Sequence, residues 1–331
     1  MLLSSSDHCP RFPSPAQQFK MVAMTRRLIS FVSFFAVVAL ALPLGAQSLT
    51  DPAAWSRDLE NWRTVHAKAI AAPGGWLSLT ALDWLKPGFN SVGSDPASAV
   101  RLPALAPAHL GLITASGKTV QILAPAGGFP PELTIDGHPA REGALSTTNA
   151  APSTIAWRGL TMIVMERAGR FVLRIKDADS PARAAFHGLN WFPPDPKLVV
   201  AARWVPYHPP QVEEIPTALG NSLHLPAPGL AMFLIDGEVQ ELEPVLEDPQ
   251  SRSLFFILRD STSTTATYPG GRFLHTQLPD HGLDQPGTLV LDFNRLENPP
   301  CAYTAFATCP LPPEQNRLDV PLAAGEKRYT P

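Results

Sequence analysis

This chain predicts a mainly β fold, a sandwich or barrel-like body of many short hairpins with an N-terminal amphipathic helix, on three observations. Short apolar or alternating runs recur at brief intervals, turn dipeptides separate them, and prolines number 37 in 331 residues. Proline lacks the amide donor that helices and central strands need, so this excess disfavours long helices and parallel sheets. With 45% hydrophobic and 17% charged residues, the chain still has enough apolar content for a sizeable core, which excludes wholesale disorder.

The first segment reads as an export signal. Met24-Thr25-Arg26-Arg27 precedes an apolar run from Leu28 to Leu42, and Pro43-Leu44-Gly45-Ala46 supplies the small-residue exit. Cleavage after Ala46 is expected, with Met21 or Met24 as the start of translation. The run falls short of the roughly 20 apolar residues of a spanning helix, so export to a periplasmic or extracellular location is expected over an uncleaved anchor. The mature chain, 47–331, is then one β-rich domain with a helical arm over 51–72. Loss of Arg11, Lys20, Arg26 and Arg27 against Asp7 makes it more acidic than the whole chain's net −3. That balance offers no basic field for nucleic acid, and membrane contact is limited to the signal segment.

In the arm, Trp55, Leu59, Trp62, His66 and Ile70 recur at three- and four-residue steps and share one face. Thr50 or Asp51 caps its start, Pro52 suits the first turn, and Pro73-Gly74-Gly75 ends it. Its tryptophans are expected to dock onto the main domain, with contact to a protein partner as the alternative. Beyond Lys86-Pro87-Gly88, runs at 110–115 and 119–123 flank Ser116-Gly117-Lys118, and runs at 160–166 and 171–176 flank Arg167-Ala168-Gly169-Arg170. Asp136-Gly137 and Asp236-Gly237 mark two more hairpins, because both residue types tolerate positive φ. Runs at 254–258 and 288–293 are further strands, Ser180-Pro181 starts a short helix, and Pro206 to Pro228 reads as a surface loop.

No familiar reaction motif survives inspection. Gly117-Lys118-Thr119 lacks the upstream glycine and the following helix of a phosphate loop, and Gly74-Gly75 lacks a dinucleotide fingerprint. There is no G-x-S-x-G and no H-E-x-x-H, so no cofactor and no metal are predicted. Cys301 and Cys309, the two cysteines left after export, read as one disulfide, with free thiols or a zinc site as alternatives.

The densest polar stretch runs from Asp260 to Lys327. His275 with Asp260 or Asp292 forms the acid/base candidate, if the protein is a metal-independent hydrolase or related enzyme. Arg272, Arg295 and Arg317 suit an anionic group, and Asn294, Tyr303 and Asn316 complete a candidate set for a small anionic or glycan-type ligand beside the proline–cysteine loop. The same side chains could instead serve the backbone of an irregular loop, or the whole could be a structural module of the cell envelope.

Tyr268-Pro269-Gly270-Gly271-Arg272-Phe273-Leu274, Leu291-Asp292-Phe293-Asn294-Arg295, Asn298-Pro299-Pro300-Cys301-Ala302-Tyr303-Thr304 and Ala307-Thr308-Cys309-Pro310-Leu311-Pro312-Pro313 carry a resemblance. So do Asn316-Arg317-Leu318 and Ala324-Gly325-Glu326-Lys327, with earlier echoes at 75–79, 84–88 and 176–186. Together they resemble an uncharacterised prokaryotic family, domain of unknown function 1684, over nearly the whole mature chain. Tyr303 stands in place of an expected phenylalanine, and Leu296-Glu297 in place of alanine-tyrosine. The resemblance implies no activity. It does imply that the cysteine segment belongs to the domain.

Overall fold

The computed structural model describes residues 51–148 and 150–330. The expected export signal and its cleavage point lie outside these residues.

The arm is helix α1 (Pro52–Ile70), with the Asp51 side chain accepting the Ala54 amide at its N-cap. It is docked along the face that its spacing predicts. Leu59 and Ile70 are buried, the Trp55 indole donates to Asp292 at 2.9 Å, and Trp62 meets the Trp191 ring edge-on. Among the described residues no helix is long and apolar enough to cross a membrane.

The N-terminal lobe follows. Its strands are β1 (Leu79–Trp84), β2 (Gly88–Gly93), β3 (Val100–Arg101), β4 (Gly111–Ser116), β5 (Thr119–Leu123) and β6 (Thr134–Ile135). They continue with β7 (His138–Pro139), β8 (Gly143–Leu145), β9 (Thr154–Trp157), β10 (Leu160–Arg167) and β11 (Arg170–Asp177). A six-stranded sheet, β1-β11-β10-β9-β6-β7, faces a five-stranded one, β3-β2-β4-β5-β8. Alternating residues from both fill one core, among them Ile113, Val120 and Ile122 from one sheet and Met162, Val164, Leu173 and Ile175 from the other. This is sandwich packing of two twisted sheets. The expected hairpin at Ser116-Gly117 is present, and Gly117 takes the positive φ its turn requires.

A one-turn helix, α2 (Pro181–Ala184), capped by Ser180 as its sequence predicts, leads to the C-terminal lobe. There β12 (Val199–Pro216), β13 (Ser222–Ile235), β14 (Glu238–Leu242) and β17 (Gly287–Asp292) form a four-stranded sheet, with β15 (Ser253–Leu258) and β16 (Arg272–Gln277) as a separate hairpin. Trp204, Phe233, Phe256, Leu274 and Phe293 pack between them.

The loop expected over Pro206–Pro228 is instead the extended arm of the β12–β13 hairpin. Pairing runs from Gln211↔Ala227 to Pro216↔Ser222, after a register shift between Pro206 and Gln211. The shift takes Tyr207, His208, Pro209 and Pro210 out of the paired register, so the prolines at 209 and 210 cost the ladder no hydrogen bond.

Candidate functional site

Arg272 sits on β16 and is 1% exposed. Its Nη2 donates to Asp260 Oδ2 at 2.6 Å and to the Leu322 carbonyl at 2.8 Å, while Nη1 donates to the Ala324 carbonyl. Burial presses the guanidinium toward losing its proton, and Asp260 opposes that. Asp260 also accepts from the Thr262 amide and hydroxyl, so the pair ties the C-terminal segment to the turn after β15. This arginine is enclosed by its own chain and faces no ligand space.

Asp292 accepts from Trp55, from the amide and side chain of Asn294, and from Arg295 at 3.3 Å. Arg295 also reaches Asp58 on α1 and lies over the Trp62 ring. Asn294 is fully buried and clamps both backbone groups of Asp195, at 2.8 and 2.9 Å. Asn316 does the same for Glu243, and Arg317 is exposed with one long bond to the Pro312 carbonyl. Asn294 and Asn316 therefore supply backbone partners in an irregular region, as the structural reading of that loop requires.

His275 is brought to neither aspartate. Along β16, Arg272 and Leu274 point to one face and Phe273 and His275 to the other, so Asp260 lies behind the strand. His275 stacks on Phe255, with Nε2 3.4 Å from Glu247 and Nδ1 3.7 Å from Glu297. Glu297 in turn lies 3.1 Å from His66 Nδ1 on α1, and His66 Nε2 lies 3.5 Å from Glu326. Glu326 is fully buried and accepts from the Asn298 amide and side chain and from the Tyr303 hydroxyl at 2.7 Å. Tyr303 is thus a buried donor in this network.

Carboxylates and imidazoles alternate from Glu326 through His66, Glu297 and His275 to Glu247. Burial opposes a charge on either histidine, but the carboxylates of Glu326 and Glu297 beside His66, and of Glu247 and Glu297 beside His275, outweigh it, raising both pKa values. Burial also raises the pKa of Glu297, whereas the His275 bond lowers that of Glu247. Gly325 permits the network. Its φ is +74° and a Cβ there would lie 2.5 Å from the Leu296 carbonyl, so only glycine lets the terminal segment come this close.

Cys301 and Cys309 form a disulfide, and the loop they close borders a cavity of about 290 Å3 between the lobes. Its walls are mostly apolar, with Leu79, Leu82 and Met165 on one side and Phe255, Phe273 and Phe306 on the other. Arg167 and Arg174, from β10 and β11, are its cations. Arg167 donates to its neighbour's carbonyl at 2.9 Å, and both guanidiniums reach the Met165 sulfur at 3.9 Å. Neither pairs with a carboxylate among the described residues. Burial lowers both pKa values, and Arg167 depresses Arg174 further. The sequence signal for Arg174 was its place on the polar side of an alternating strand. Arg167 had only its position beside a turn.

The disulfide closes a loop with a sequence separation of 8. Loop-closure entropy predicts that reduction costs about 2–3 kcal/mol. Intact mass should rise by two hydrogens on reduction, and the thermal midpoint of the same sample should fall.

Among the described residues no three His, Cys, Asp or Glu side chains are set to hold a metal ion. What emerges is a two-lobed β protein with an apolar, arginine-bearing cleft beside a disulfide-closed loop. Residues 184–327, essentially the C-terminal lobe, match the family described as "Protein of unknown function (DUF1684)", and this region of the chain belongs to that family. The matched span is narrower than the motifs imply, since those at 75–79 and 84–88 precede it. Among solved structures the chain is similar to an uncharacterized protein of Haloarcula marismortui determined by solution NMR. Identity is 33% over 44% of this chain and 78% of that one, with a TM-score of 0.38. No curated protein matches this chain.

Proposed function

We propose that this protein binds a small amphipathic anion in the cleft between its lobes, working in an oxidising, exported compartment. One observation carries the reading. Arg167 and Arg174 are partly desolvated on the wall of an apolar cavity and lack a carboxylate partner among the described residues. Two such guanidiniums are matched by a carboxylate or phosphate through charge-assisted bonds, and the apolar walls suit the rest of the molecule. The volume lies near the small end of ligand sites. The disulfide and the export-signal pattern support the compartment. The acid/base alternative has less support, because His275 is held by Glu247 and Glu297 on both ring nitrogens.

Octanoate is a suitable probe. Titration calorimetry should detect binding, with the thermal midpoint rising as octanoate is added. The double variant Arg167→Gln and Arg174→Gln should bind about tenfold more weakly. Equal affinity in that variant, or no binding to the native protein, sinks the reading.

A further inference from the structure

The two walls of the cleft differ in charge. The β10–β11 side supplies Arg167 and Arg174, whereas the segment before β15 supplies Glu247. No ion pair joins them among the described residues. Glu247 has His275 beside one carboxylate oxygen, Oε2, and its Oε1 has no protein partner among the described residues. Leu79, Leu82, Phe255 and Phe273 line the apolar space of the same cleft. Opposite charges on one apolar cavity, left unpaired with each other, are complementary to an occupant that carries both signs.

We propose that the ligand is bipolar, an apolar body with an anionic group held by Arg167 and Arg174 and an ammonium group donated to Glu247. This rests on the reading of the cleft as an anion site and names the ligand's other end. An ionised carboxylate only accepts hydrogen bonds, so the group opposite it must donate, and a charged donor makes the stronger bond. The cavity volume suits a body on the order of a dozen non-hydrogen atoms. Small zwitterions of the amino-acid or short-peptide type have this chemistry.

The test compares octanoate, ω-aminooctanoate and octylamine by titration calorimetry on the native protein and on Glu247→Gln. Glu247 is more than half exposed, so the variant should fold, which circular dichroism checks. The expected result is that ω-aminooctanoate binds the native protein about fivefold more tightly than octanoate. In Glu247→Gln that advantage should vanish while octanoate binds at least as well as before, and octylamine alone should bind weakest to the native protein. Equal affinity of octanoate and ω-aminooctanoate for the native protein, or an advantage that survives Glu247→Gln, overturns the proposal and leaves the anion site standing. If octanoate itself fails to bind, the anion site falls and the proposal falls with it.

Discussion

Arg272→Met is expected to destabilise the protein by about 3–5 kcal/mol, measured by urea denaturation. The cause is the charge left behind. Asp260 is 3% exposed, and without Arg272 its carboxylate has no paired cation among the described residues. The Leu322 and Ala324 carbonyls also lose their donor, which loosens the terminal segment from β16. The two contributions are separable. Adding Asp260→Asn to Arg272→Met removes the stranded charge but keeps an acceptor for the Thr262 amide, so the double variant should recover part of the loss. A double variant no better than the single one would mean that the carbonyl bonds, and not the charge, dominate. Octanoate affinity of folded Arg272→Met should stay close to native, because this guanidinium is not on the cleft.

His66→Phe should cost about 2–3 kcal/mol near pH 6 and change how stability depends on pH. His66 is the cation nearest the buried Glu326 carboxylate, and it also fastens α1 to Glu297. Its loss leaves Glu326 with hydrogen bonds from Asn298 and Tyr303, which is why the cost lies below that of stranding an unbonded charge. The sign of the pH effect follows from the raised pKa of the folded state. A histidine that binds its proton more tightly when folded contributes fully below its unfolded pKa of about 6.5. That contribution is lost as pH rises through the folded value. His275 and Glu297, also raised, act in the same direction, with the Glu297 contribution present below its unfolded value of about 4.3. Native stability should therefore fall as pH rises above about 6.5, and His66→Phe should show a shallower fall. Parallel curves for the two proteins would refute the role of His66.

Most of the architecture was legible because it rests on local chemistry. The α1 periodicity named the face that docks, and Asp51, Ser180, Gly117 and Asp236-Gly237 each occupy the cap or turn their type favours. The Pro206–Pro228 segment has the composition of a loop yet pairs as a hairpin, because proline density carries no information on strand pairing. Prolines at 209 and 210 fall in an irregularity, and the pairs on either side hold the strand. The candidate site was less legible. Alternation along β16 puts Arg272 and His275 on opposite faces, which the sequence could show, but only the tertiary structure places Asp260 on the Arg272 side. Nothing local could show that Glu247, Glu297 and His66 converge, since they come from a loop, a second loop and a helix.

By itself the sequence determined a β-rich chain with a family resemblance in its C-terminal part, a capped N-terminal helix, hairpins placed by glycine and aspartate, and one cysteine pair close enough along the chain to bond. Those features depend on backbone preference and spacing, which act over a few residues. The tertiary structure decided which polar groups are structural and which face open space. Arginines 167, 174 and 272 carry the same side chain. Arg272 is enclosed by carbonyls and Asp260, whereas Arg167 and Arg174 lie on a cavity wall with no carboxylate paired to them among the described residues. Whether a charge is spent inside the fold or left for a ligand depends on what the rest of the chain packs around it, and local sequence does not encode that.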